Sequence, residues 1–180
     1  IEDQLTKNHS SVILQFSIKA GEEADACLYL TGGDAEVFIW EKVWERNKAK
    51  TSCLEYDLML APHHCSWHTL SHESWDGGKG NPQVSQDAKS ALSQARSGAF
   101  IVSSSKPIKD DDNDPPCIRA KREYVAILGT ENRFKCIADG AGDTPFEFEV
   151  SVGGVSPLAK AAAVASPFIS GVGRQPLPHG

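Results

Sequence analysis

Leu28-Tyr29-Leu30-Thr31-Gly32-Gly33-Asp34-Ala35-Glu36 and Tyr56-Asp57-Leu58-Met59-Leu60-Ala61-Pro62-His63-His64-Cys65-Ser66 decide how this chain is read. Each is a short apolar run with strand-forming composition, broken at once by residues that turn the chain. Each break delivers a side chain able to hold a metal: the carboxylate of Asp34, then the imidazoles of His63 and His64. Side chains placed just past buried strands share one edge of a sheet, where a rigid frame can fix ligands.

Residues 12–18 and 27–30 predict two strands of a hairpin across the polar turn 19–25. Val37, Trp40 and Trp44 recur at helical spacing, so a helix is expected directly after Asp34. Asp34 would be its N-cap and Glu36 would sit in the favourable first turn. Residues 56–61 read as a buried strand, 76–82 as a loop, 85–96 as a helix stopped by Gly98, and 99–102 as a strand. After the charged loop 106–114, Asp114-Pro115-Pro116 is expected to start a helix running to Leu128 and closing at Gly129. Residues 133–138 and the alternating 146–152 would complete the sheet. Strands alternating with helices predict an α/β layered domain over 1–152. Residues 153–180, rich in Gly, Ala and Pro, read as a tail with one short helix over 158–165.

Composition bounds the function. The chain has 180 residues, 40% hydrophobic and 23% charged, which is ordinary for one globular domain. A net charge of −6 argues against a broad nucleic-acid footprint, although bound cations would change the local sign. Five scattered cysteines without a C-x-x-C pair point away from a disulfide framework and toward a reducing, cytoplasmic setting. No stretch approaches the roughly 18 apolar residues of a membrane span. The first residue, Ile1 rather than Met, leads to the expectation of a segment upstream.

Taken singly, Gly33-Asp34 before a helix is most often a cap, and a histidine pair after a strand is often plain loop. Their order and shared context favour metal binding, with zinc or manganese suited to the donors. Two close metals would orient and ionise a water for hydrolysis. Other candidates are weaker. His64, His68 and His72 would line up only on a helix, whereas Pro62 and Ser66 favour a loop. Residues 110–114 lack the glycine and glutamate of a calcium loop, and Arg119, Lys121 and Arg122 read as a plain basic helix face. There is neither a phosphate-cradling glycine loop nor a nucleophile elbow.

The run Asn8-His9-Ser10-Ser11-Val12-Ile13-Leu14, followed by the two stretches quoted first, resembles the second half of a ComEC-type metallo-β-lactamase domain over residues 8–152. That resemblance implies half of an αββα sandwich, a sheet with flanking helices. It implies that Asp34 bridges two zinc ions, with manganese possible, and that His63 or His64 is a late ligand. His63, nearer the strand end, is favoured, with His64 supporting it. It further implies a phosphodiesterase or nuclease acting on nucleic acid or a nucleotide.

Departures qualify this. Cys65 stands where the family has glycine, an additional glycine precedes Asp34, and the stretch from residues 102–105 to Asp114-Pro115, where the family often has a His-Pro, holds no histidine. The family's H-x-H-x-D-H motif is absent. The chain alone is therefore expected to be inactive, and to pair with a missing amino-terminal half or with another copy. The alternative is a non-catalytic binding or assembly module with a degenerate site.

Overall fold

A computed structural model describes residues 7–76, 79–139 and 145–158. Its centre is a mixed five-stranded sheet in the order β1-β2-β3-β4-β5: Leu14–Ala20, Glu23–Thr31, Tyr56–Leu60, Ala95–Ser103 and Phe134–Cys136. β1 and β2 form the expected antiparallel hairpin, and β2 to β5 run parallel. Parallel neighbours need crossovers. Here α1 (Val37–Asn47), α2 (Gln86–Leu92) and α3 (Ile118–Leu128) supply them. The α/β reading with flanking helices stands.

The sheet has two unlike faces. Leu30, Met59, Ile101 and Phe134 lie side by side in register, and all are buried. They pack with Trp40 of α1, Ala88, Ala91 and Leu92 of α2, and Tyr124 and Leu128 of α3. Fully burying such a side chain contributes roughly 1.5–3 kcal/mol. Polar tips find partners inside: Trp40 Nε1 donates to Ala35 O at 3.0 Å, and Tyr56 OH to Leu92 O at 2.8 Å. Phe16, Tyr29, Leu58 and Phe100 form the opposite row, and none of these is fully buried. A second small sheet, β6 (Phe148–Ser151) with β7 (Gly154–Pro157), lies over part of that row, with Phe148 against Phe100 at 5.4 Å between ring centroids.

Several boundaries differ from the sequence reading. β6 does not complete the main sheet, and residues 154–157, assigned to the tail, are its hairpin partner. An alternating strand fits any surface with one wet side, so the pattern did not distinguish the two sheets. The remainder of the 158–165 helix reading lies outside the described residues. α2 ends at Leu92, and Gly98, with φ +87°, sits inside β4 at a bulge where Tyr56 pairs with Ala95 and Leu58 with Phe100. α3 starts at Ile118, after cis bonds at Asp114-Pro115 and Pro115-Pro116; Asp114 Oδ1 instead accepts from Trp67 N at 2.9 Å. Gly129 closes α3 in the left-handed region, as expected.

At the strand starts, Asp57 Oδ2 accepts from Leu28 N at 2.8 Å and from Arg96 Nη1 at 2.9 Å. One carboxylate thus joins β2, β3 and β4. At the strand ends, the two glycines before Asp34 have separate roles. A Cβ on Gly32 would overlap the Trp40 ring, while Gly33, at φ +52°, makes a left-handed turn. Gly32→Ala is expected to destabilise the fold by roughly 1–3 kcal/mol in urea unfolding. Trp40→Phe in the same chain should return part of that loss, giving a non-additive double mutant.

Candidate metal centre

The parallel strands carry their following loops to one edge, where ligands bind in open α/β sheets. Asp34 follows β2, His63 and His64 follow β3, and Ser104 follows β4. Asp34 is not the N-cap of α1. That helix begins at Val37, Glu36 holds the cap position without a side-chain cap bond, and Asp34 occupies the preceding turn. Its carboxylate is half exposed and free to point at a neighbour.

His63, His64 and Cys65 have φ of 48°, 55° and 66°, three consecutive non-glycine residues in the left-handed region. Such residues cost about 1–2 kcal/mol each, so about 3–6 kcal/mol for the turn. Observed strain of this kind points to function. Surrounding bonds hold it. His63 N donates to Gly33 O at 2.9 Å, Cys65 N to Pro62 O at 3.1 Å, Ser66 N to His63 O at 3.0 Å, and Cys117 N to Cys65 O at 2.9 Å. The left-handed φ at Cys65 is the reason a glycine suits this position. Its thiol is buried in the core, and burial, the largest cause, pushes it far above the ordinary thiol range.

The turn separates the two histidines. His64 Nδ1 donates to the Ser104 carbonyl at 2.9 Å, which can only accept, so Nδ1 carries the hydrogen. Nε2 then lies on the open side of the ring, 3.7 Å from Asp34 Oδ1, with both side chains about half exposed. A backbone carbonyl fixing the far nitrogen is the usual arrangement for a metal-binding histidine. His63 is more enclosed and faces a different acid. Its Nδ1 lies 3.8 Å from Glu36 Oε1, which accepts from Asn8 Nδ2 at 2.7 Å.

The sequence left the late ligand between His63 and His64, with His63 favoured; the structure sets His64 beside Asp34 and His63 beside Glu36. Glu36 was read only as a first-turn acid, and Asn8 only as part of a motif. Ser104 acts through its backbone, which sequence does not advertise. The four-residue spacing of His64, His68 and His72 comes to nothing: His68 lies in the short turn Trp67–Thr69, and His72 Nε2 meets Glu41 at 2.9 Å. The basic residues of α3 are engaged with acids, Lys121 with Glu131, Arg122 with Asp110 and Arg119 with Glu123.

The donor pair suits a cation: 3.7 Å is close to the spacing of two ligands each about 2.0–2.2 Å from a shared zinc. Among the described residues, no group of three or more His, Cys, Asp or Glu side chains that could hold a metal comes together. Among the described residues the site thus brings together two donors, where a zinc site uses three or four from protein. No protein-family model, curated protein or solved structure matches this chain.

Two measurements check this local picture. Asp34→Ala should change the unfolding free energy by less than about 0.5 kcal/mol, because the carboxylate caps nothing and supports no core. A larger loss in denaturant titration would mean that Asp34 is structural. Alkylation of the native protein, read by mass spectrometry, should label exposed Cys53 and spare buried Cys27, Cys65, Cys117 and Cys136.

Proposed function

We propose that this chain is the carboxyl-terminal half of a ComEC-type, metallo-β-lactamase-like hydrolase that cleaves phosphodiesters in nucleic acid or a nucleotide. The observation that carries the reading is the approach of Asp34 and His64 across a strained turn, at the carboxyl ends of parallel strands. In the complete site two zinc ions, or manganese, would ionise a water and neutralise charge developing on the phosphate. Asp34, with two carboxylate oxygens, would help hold the metals. His64 is the late ligand, held by the Ser104 carbonyl with its Nε2 toward Asp34. His63 and Glu36, with Asn8 behind them, support the turn from the enclosed side.

The remaining ligands come from a second chain segment, either an amino-terminal half or another copy, so this chain alone is inactive. Five free cysteines fit a reducing, cytoplasmic setting. Among the described residues, no helix is long and apolar enough to cross a membrane. A second reading, a non-catalytic binding or assembly module, is favoured by the meeting of two donors rather than three among the described residues and by the engagement of Asp114 with Trp67.

Calorimetric titration with zinc and with manganese tests the assignment. The native chain should bind weakly, Asp34→Ala and His64→Ala should each lose at least tenfold in affinity, and His63→Ala should keep most of it. Equal binding by native and Asp34→Ala protein would remove Asp34 from the metal site. Loss on His63→Ala with retention on His64→Ala would return the ligand role to His63.

A further inference from the structure

We infer that β1 is a dimerisation edge, on which a second copy of this chain adds its own β1 in antiparallel register about Phe16. β1 ends the main sheet, so one side of its backbone faces no other strand of that sheet. The β6–β7 hairpin touches β1 but does not bury its outer-face side chains: Leu14, Phe16 and Ile18 remain 46%, 44% and 37% exposed, and Val12, just upstream, 63%. Phe16 is held flat by stacking on Tyr29, with 5.9 Å between ring centroids. An open apolar edge of this kind is a template for strand addition.

The chemistry of the edge selects its own copy. Leu14-Gln15-Phe16-Ser17-Ile18 reads apolar-polar-apolar-polar-apolar in both directions. Two such strands, antiparallel about a twofold axis at Phe16, place Phe16 opposite Phe16 of the second copy and Leu14 opposite Ile18. Gln15 falls opposite Ser17, on the helix side. No charge lies within this stretch, although the chain carries a net −6, so no like charges meet at the centre of the seam.

The bulge between Ile18 and Ala20 ends the regular edge just past this stretch. At the other end of the sheet β5 has only three residues. The seam therefore uses the same edge of both copies and closes as a dimer rather than growing into a filament. This inference goes beyond the metal reading and does not depend on it.

Sedimentation of the full chain over a concentration series tests the pairing, with far-ultraviolet circular dichroism confirming that each variant is folded. The native chain should sediment as a monomer–dimer equilibrium. Phe16→Lys, which sets two like charges on the axis, should weaken the dimer at least tenfold, while Phe38→Lys, at an exposed position of α1, should leave it unchanged. In a Cys53→Ser background, Phe16→Cys should cross-link to itself under mild oxidation, and Ile18→Cys should not. A native chain that stays monomeric up to its solubility limit overturns the proposal. So does equal weakening by Phe16→Lys and Phe38→Lys, or self-cross-linking at position 18 in place of position 16.

Discussion

The hydrogen bond from the His63 amide to the Gly33 carbonyl joins two loops that leave neighbouring parallel strands, and the candidate site exists because they are joined. Asp34 is carried by one loop and His64 by the other. A single hydrogen bond contributes only about 0.5–1.5 kcal/mol net, less than the cost of three left-handed residues. The turn therefore persists through several restraints acting together: the bonds made by Pro62 and Ser66, the tie from Cys117 to Cys65, and burial of the Cys65 side chain. Gly32 and Gly33 belong to the same unit. One admits the Trp40 ring, and the other supplies the backbone reversal whose carbonyl His63 needs.

The layered α/β plan was legible because strand-like and helix-like periodicities alternate, and each buried face has one dominant pattern. Element ends were less legible. Asp34 satisfies the local rule for a cap, yet the chain needs two more residues to turn out of β2 before a helix can begin. Gly98 looks like a helix stop but serves a bulge, because glycine meets both demands equally well. The identity of the histidine beside Asp34 was not readable. It follows from the hand of a backbone turn, which no periodicity records, and from the Ser104 carbonyl, which belongs to no side chain.

The two faces of the sheet have been treated differently. On the helical side aromatic and aliphatic residues form the buried core, and the Trp40 and Tyr56 tips bond to backbone carbonyls. On the other side a two-stranded flap lies over the sheet and touches β1, whose outer side chains nevertheless stay exposed. Polar anchoring is concentrated at the strand starts, where Asp57 gathers a backbone amide from β2 and a guanidinium from β4. The sheet is thus fastened by a charged clasp at one end and by a strained turn at the other.

That turn has a consequence for how the chain can change. In a left-handed turn successive side chains fan out in the opposite rotational sense from an ordinary one, so adjacent imidazoles reach different acids. Function is then encoded in the spacing along the chain as much as in the residues themselves. Substitutions within the turn alter one contact at a time. A single insertion or deletion there would reassign every partner at once, making length the more rigid of its two constraints.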